Sequence, residues 1–220
     1  MLDQSAKQWV LGSAVGQLWV SGRDTLDLVK HALRTPESVG TVANDQCAMH
    51  LLVGLPAAGS VFLDVGRHNP SVLAGMVRRD ASIRIVAVDA NLGVDDLVAP
   101  EGIDMMNVDV EGGELSVLSV LQGCSKLVAA SRPVIVFESE PADAAGLALA
   151  KPAIWRFFAE AGYTLHLPIR VAHNDDGLCL ESFIDSHVYP RPTTHYVAIP
   201  HERRIEIRDR ARALLGIVVA

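Results

Sequence analysis

Short hydrophobic runs alternate with segments of helical spacing through the middle of the chain. Residues 60–66 (SVFLDVG), 83–88 (IRIVAV) and 103–108 (IDMMNV) are mostly apolar, which is typical of strands covered on both faces of a parallel sheet. Residues 70–79 predict a helix between the first two runs, and residues 133–138 (PVIVFE) predict a further buried strand. This alternation predicts an α/β fold with a doubly wound, mostly parallel, Rossmann-like sheet.

Helical periodicity precedes this central region. Residues 1–34 predict one or two helices, Thr35 followed by a proline predicts a helix start, and residues 44–55 predict a further helix. We therefore expect residues 1–55 to form an N-terminal helical segment packed on the core. Residues 56–220 then form the α/β domain.

The C-terminal part of the chain predicts an antiparallel unit that completes the sheet. Residues 151–161 predict an amphipathic helix, and residues 163–169 and 196–199 predict two paired strands. The long polar connection over residues 170–194 is of a size often found in lids and binding loops. Residues 201–215 predict a charged helix with a solvated face.

Acidic residues stand where the predicted parallel strands end. Asp64 precedes Gly66 in the first strand's turn, Asp89 ends the second strand, and Asp109 and Glu111 end the third. Ligands of open α/β sheets bind outside the carboxyl ends of the strands. Carboxylates at that place are costly for stability unless they are solvated, paired or used, so these residues are the first candidates for a functional site.

The turn after the first strand argues against a dinucleotide cofactor. Asp89 lies 23 positions beyond Gly66, close to the spacing of about 20 expected for an acid that binds ribose hydroxyls. A GxGxxG pattern would need glycine at the two positions occupied by His68 and Ser71. A Rossmann oxidoreductase is therefore the least favoured function, whereas a cofactor without phosphates, such as S-adenosylmethionine, is compatible with this turn.

Four segments carry a resemblance to a known family. NVDVEGGELSVL, followed by RPVIVFE, resembles the DVEG signature of the FkbM family of S-adenosylmethionine-dependent methyltransferases. VFLDVG and IVAVDAN fall where that family has its cofactor motifs, and the resemblance runs in order over roughly residues 51–199. It implies a class I methyltransferase fold, S-adenosylmethionine as the cofactor, and O-methylation of a hydroxyl on a sugar or secondary metabolite.

The resemblance also implies which residues would hold the cofactor. Asp64 and Gly66 would meet the methionine part of S-adenosylmethionine, with the Asp64 carboxylate near the amino group. Asp89 would accept hydrogen bonds from the ribose, and Asn91 would lie beside it. His68 would be a loop residue that touches the cofactor or the substrate.

Asp109 and Glu111 are the candidate catalytic residues, because a hydroxyl acceptor must lose a proton during methyl transfer. Asp109 is the first choice and Glu111 the second. Either carboxylate could instead cap the following helix at its N-terminus. A magnesium site is a further alternative if both faced one crevice with Glu138 and His68, but no spacing rule supports it, and we predict no metal.

Three features depart from the family pattern. Thirteen residues separate Asp89 from Ile103, and they reach about 43 Å when extended. This is too short for a helix, an edge strand and a second helix, so we predict that the edge strand is missing and that residues 83–88 form an exposed edge unless covered. Pro70 removes an amide donor, and Asn107 stands where the family commonly has lysine. A non-catalytic scaffold that has lost cofactor binding is therefore the alternative hypothesis.

Composition excludes several kinds of partner. The net charge is −7 and the pI about 5.6, without the basic footprint of a nucleic-acid binder. Three irregularly spaced cysteines indicate neither a disulfide framework nor a zinc site. The sequence shows no basic and apolar leader and no apolar run of about 20 residues. We expect a cytoplasmic protein with a small-molecule acceptor, no membrane or nucleic-acid partner, and a homodimer as one way to cover the exposed edge.

Overall fold

A computed structural model describes residues 37–89, 102–110, 114–139, 144–188 and 193–217. Within these ranges six strands form one sheet: β1 (Val61–Gly66), β2 (Arg84–Val88), β3 (Ile103–Asp109), β4 (Val134–Glu138), β5 (Tyr163–His166) and β6 (His195–Pro200). Their order is β2-β1-β3-β4-β6-β5, with β1 to β4 parallel and β6 antiparallel to both of its neighbours. The predicted fold class is confirmed.

Helices cover both faces of this sheet. They are α1 (Glu37–Gly54), α2 (Pro70–Arg79), α3 (Glu114–Gly123), α4 (Ser125–Ser131), α5 (Ala144–Glu160), α6 (Leu180–Asp185) and α7 (Arg204–Leu214), with short 3-10 turns at Pro168–Arg170 and His201–Arg203. Among the described helices, none has the length and apolar character needed to cross a membrane.

Alternating residues of the central strands feed two separate apolar cores. In β1, Val61, Leu63 and Val65 pack on the face covered by α3, α4 and α5, whereas Phe62 packs on the face covered by α1, α2 and α7. This is the period of two expected for a strand buried on both sides. Each fully buried apolar side chain of this size contributes about 1.5–3 kcal/mol, so both helix layers are held to the sheet by hydrophobic burial.

Several predicted elements differ from the structure. The predicted break between a helix start near Thr35 and a second helix at residues 44–55 is wrong, because α1 is one continuous helix through Gly54. Helix α5 likewise begins before the predicted start at residue 151, at Ala144, and runs through Pro152. The helices predicted over residues 1–34 lie outside the described residues.

The long connection predicted as a lid or binding loop is packed into the protein where the structure describes it. It contains α6. Phe183 meets the ring of Tyr196 in β6 edge to face, with centroids 5.0 Å apart, and His187 stacks on the same ring at 4.9 Å. All three side chains are buried. These contacts anchor the segment to the sheet, so the part around α6 is structural.

Strand β2 lies at the edge of the sheet within the described part of the chain, as predicted from the short connection to β3. Arg84 and Ala87 are exposed on it, whereas the neighbouring β1 is buried throughout residues 61–65. The thirteen-residue connection and the N-terminal residues that were expected to cover this edge fall almost entirely outside the described ranges. A homodimer through this edge therefore stays a prediction.

Candidate functional site

Polar residues near the carboxyl ends of three parallel strands share one face of the sheet. Each follows, by two or four positions, a residue of the apolar core beneath α1 and α2, and side chains at such spacings in a strand point to the same face. They are Asp64 of β1, Asn107 and Asp109 of β3, and Glu138 of β4.

These residues line a cavity of about 510 Å³. The chain passes from β1 outward to β2 and then returns to place β3 on the other side of β1, so the cavity lies where the strand order reverses. Open α/β proteins bind their ligands at this point. The opposite wall is apolar, with Met49 and Leu52 from α1 and Val72 and Leu73 from α2.

Asp64 is the buried centre of the cavity floor. Its Oδ1 atom accepts a hydrogen bond of 2.8 Å from Asn107 Nδ2, and its Oδ2 atom lies 2.9 Å from His68 Nδ1. Only 1% of the residue is exposed, so the carboxylate needs both partners to offset its loss of water. Asp64 therefore ties β1 to β3 and fixes the His68 ring in the turn that follows β1.

The turn after β1 depends on Gly66. Its φ of +96° lies in the left-handed region, and a Cβ atom there would overlap the Asp109 backbone carbonyl. The next amide, of Arg67, donates to that carbonyl at 2.5 Å. Asn69 then caps α2 by accepting from the amides of the second and third helical residues, and Pro70 occupies the first position, where no amide donor is needed.

Arg67 links the ends of two further strands. Its Nε atom donates to Asp109 Oδ1 at 2.8 Å, and its Nη2 atom donates to Glu138 Oε2 at 2.6 Å. Burial and the neighbouring Asp109 carboxylate raise the pKa of Glu138, and the Arg67 guanidinium only partly offsets this. Two carboxylates and one guanidinium thus stand together at the mouth of the cavity.

A second hydrogen-bonded pair reaches the same cavity from α1 and β6. Asp45 Oδ1 accepts hydrogen bonds from Thr193 Oγ1 at 2.8 Å, from the Thr194 amide at 3.2 Å and from His195 Nδ1 at 3.0 Å. Burial alone would raise the pKa of Asp45, but the bonds from His195, Thr193 and Thr194 outweigh it and hold this pKa below its usual value. The carboxylate is therefore ionised and fixes the His195 ring.

The opposite face of the sheet holds a buried polar group directly behind Glu138. Ser139 Oγ accepts a hydrogen bond of 2.7 Å from Lys151 Nζ and lies 3.0 Å from His187 Nε2. All three residues are at most 3% exposed. They join the end of β4 to α5 and to the segment after α6, so they support the strand end that carries Glu138.

Ser139→Ala is expected to lower the free energy of unfolding by about 2 kcal/mol, because Lys151 and His187 each lose a hydrogen bond in a buried place. Urea denaturation measures this loss. Ser119→Ala is the matched control, since Ser119 is exposed on α3 and its change should stay within about 0.5 kcal/mol. Equal small losses in both variants would show that the buried group contributes no net stability.

The structure brings four of the predicted site residues together and leaves one apart. Asp64, His68 and Asp109 line the cavity, and Gly66 forms the turn between them. Asp89 follows Val88, which pairs with Val65, so it stands at the same rim of the sheet but is exposed and does not line the cavity. The two remaining candidates, Asn91 and Glu111, lie outside the described residues.

The metal alternative gains no support from the described residues, among which no cluster of three or more histidine, cysteine or acidic side chains is arranged to hold an ion. Asp109 and Glu138 are instead bridged by a guanidinium. Glu111, a member of the set considered from the sequence, lies outside the described ranges.

Sequence reasoning missed three residues of this site: Arg67, Asp45 and His195. One available pattern pointed to His195. Because β6 was expected to pair antiparallel with its neighbour at the end of the sheet, its first residue had to lie at the same rim as the carboxyl ends of the parallel strands. Arg67 and Asp45 carried no comparable signal, since each is a single charged residue in a turn or a helix.

Fold and cavity together define a Rossmann-like α/β protein with a candidate ligand site at the reversal point of its sheet. The family model of the methyltransferase FkbM domain matches residues 28–165. The chain therefore belongs to the FkbM methyltransferase family, which confirms the resemblance seen in the sequence.

Other comparisons are more distant. The structure of the pyocyanin biosynthetic protein PhzM is 15% identical in sequence, with a TM-score of 0.36, and the alignment covers 88% of this chain. The same alignment covers 66% of the PhzM chain, slightly less than two thirds of its length. No curated protein matches this chain.

Proposed function

We propose that this protein is an S-adenosylmethionine-dependent methyltransferase that methylates a hydroxyl of a small molecule, such as a sugar or a secondary metabolite. The cofactor would lie across the carboxyl ends of β1 and β2, with its methionine part near Asp64, Gly66 and His68. Its ribose would face Asp89. The acceptor would lie over β3 and β4, beside Asp109 and Glu138.

The observation that carries this proposal is the acidic cavity at the reversal point of an FkbM-family sheet. Four carboxylates line it, from Asp45, Asp64, Asp109 and Glu138, against the single guanidinium of Arg67 in the same lining. S-adenosylmethionine carries a sulfonium and an ammonium group, so an anionic cavity attracts it. The product has lost the sulfonium charge, and the same cavity holds it less strongly.

The non-catalytic alternative rests on the short connection before β3, on Pro70 and on Asn107, and the last two have a local role in this chain. Pro70 starts α2 at a position that needs no amide donor. Asn107 donates to the buried Asp64 carboxylate, as a lysine could also do from that strand. These two departures are therefore accommodated in the turn and the cavity floor, which supports the enzyme over the inert scaffold.

Isothermal titration with S-adenosylmethionine tests the proposal. We expect binding heat with a dissociation constant below the millimolar range, which corresponds to more than about 4 kcal/mol of binding free energy. Absence of heat at cofactor concentrations near a millimolar would favour the non-catalytic alternative and overturn the proposal.

Asp89→Ala is expected to weaken S-adenosylmethionine about tenfold, because one charge-assisted hydrogen bond to the ribose is lost. The same titration measures it. Asp185→Ala is the matched control, because Asp185 is also an exposed aspartate but ends α6, away from the cavity lining. Unchanged affinity in the Asp89 variant would place the ribose elsewhere.

A further inference from the structure

His195 combines three properties that, among the described cavity residues, only His68 shares, through its 2.9 Å contact with Asp64 Oδ2. His68 stands in the turn after β1, on the side proposed for the cofactor, whereas His195 begins β6 beside β4, on the side proposed for the acceptor. His195 is therefore the candidate on the acceptor side. It lines the cavity, and 17% of its side chain is exposed. Its Nδ1 atom lies 3.0 Å from Asp45 Oδ1, whose carboxylate is ionised and accepts hydrogen bonds. Within the described part of the chain, its Nε2 atom makes no hydrogen bond.

The contact with Asp45 decides where the imidazole carries its proton. A carboxylate can only accept, so the neutral ring must place its proton on Nδ1 and donate it to Asp45. The Nε2 atom then keeps its lone pair. If Nε2 takes up a proton, the same carboxylate stabilises the resulting imidazolium.

We infer that His195 Nε2 is the general base that removes the proton of the acceptor hydroxyl, and that Asp45 is its positioning residue. This inference rests on the proposed function. The acceptor O–H bond breaks with its proton passing to Nε2, while the oxygen forms a bond to the methyl carbon. The carbon–sulfur bond breaks with its electron pair going to sulfur, which leaves a neutral thioether, and the imidazolium returns its proton to water.

The other acidic groups at the cavity mouth are less suited to this role. Asp109 Oδ1 already accepts a hydrogen bond of 2.8 Å from Arg67 Nε. Glu138 accepts from the same guanidinium at 2.6 Å. It also pairs with His195 across the β4–β6 ladder, so it stands beside the imidazole. Asp109 and Glu138 thus serve to hold the acceptor while His195 takes the proton.

Nitrogen NMR of histidine-labelled protein tests the inference, with His195→Gln to assign the resonance. At mildly alkaline pH we expect a proton on Nδ1 and none on Nε2, and S-adenosylmethionine should shift the Nε2 signal. His166 and His187 are internal controls, because both ring nitrogens of each are hydrogen-bonded and neither residue lines the cavity. Their signals should stay in place. Asp45→Asn should move part of the His195 proton to Nε2.

Turnover gives the second readout. For a monosaccharide that the wild type methylates, His195→Gln is expected to lower kcat about 100-fold and to leave the dissociation constant of S-adenosylmethionine unchanged. A proton on Nε2 in the wild type, an unmoved Nε2 signal despite binding heat, or an unchanged kcat would overturn this inference alone. Absence of binding heat would overturn the proposed function as well.

Discussion

Gly66→Ala is expected to lower the free energy of unfolding by about 4 kcal/mol, the sum of a strained backbone and a steric overlap. The φ of +96° at this position disfavours any side chain, and the added Cβ would meet the Asp109 backbone rather than a flexible side chain. Relief would require β1 and β3 to separate at their carboxyl ends. Because these ends form the cavity floor, S-adenosylmethionine binding should be lost with the stability.

Gly59→Ala isolates the steric part of that effect. Gly59 also has a positive φ, of +71°, but nothing lies within 4 Å of the position that its Cβ would take. We therefore expect a loss of about 1 kcal/mol from backbone strain alone, measured by the same urea denaturation. Failure of only the Gly66 variant to fold would agree with the prediction. Similar losses in the two variants would show that the backbone of β3 moves away from the added Cβ at little cost in stability.

The strands and the helix between them could be predicted because their signals are local. Residues 61–65 are apolar at almost every position, which few environments other than the middle of a covered sheet can satisfy. Helix α2 was predicted with its observed bounds, since proline is favoured at the first position of a helix and Pro70 occupies it. The edge position of β2 among the described strands was also predictable, because chain length alone limits what thirteen residues can build.

Helices α1 and α5 were mispredicted where packing overrides local preference. Helix α1 buries Cys47, Leu51 and Leu52 in the apolar core, which holds it as one helix despite a weakly amphipathic sequence. In α5, Ile154 and Phe158 are fully buried beyond Pro152, and their burial offsets the hydrogen bond that proline removes. Neither compensation is visible without knowing what the helix packs against.

The candidate site shows the same division between local and distant signals. Asp64 and Asp109 stand near the carboxyl ends of buried apolar runs, so the sequence placed them at the rim of the sheet. Asp45 and His195 lie 150 positions apart, and only the antiparallel insertion of β6 beside β4 brings them to the same cavity. The pairing of Asp45 with His195 was thus hidden by topology, because the two residues lie in different elements and neither follows a parallel strand.

A loss of about 3 kcal/mol of stability is expected as the pH falls from 6.5 to 4, caused by His166. Burial, together with the Arg204 guanidinium, lowers the pKa of His166 to about 4 from its usual 6.5. Above pH 6.5 both folded and unfolded chains carry the neutral ring. Below pH 6.5 the imidazole binds a proton in the unfolded chain but not in the folded chain. Stability therefore falls until the pH reaches the folded pKa, and then levels off.

His166→Gln should remove most of this acid-dependent loss. The buried ring lies 3.1 Å from Asp175 Oδ1 and 2.9 Å from Thr164 Oγ1, so the variant also costs some stability at neutral pH, but its stability curve should be flatter between pH 6.5 and 4. His173→Gln is the comparison, because His173 lies nearby in the sequence but is exposed. Its removal should leave most of the slope of stability against pH. Aspartates with lowered pKa titrate below this window and add to the loss only in stronger acid. Parallel curves for wild type and His166→Gln would show that His166 takes up its proton in the folded protein with its ordinary pKa.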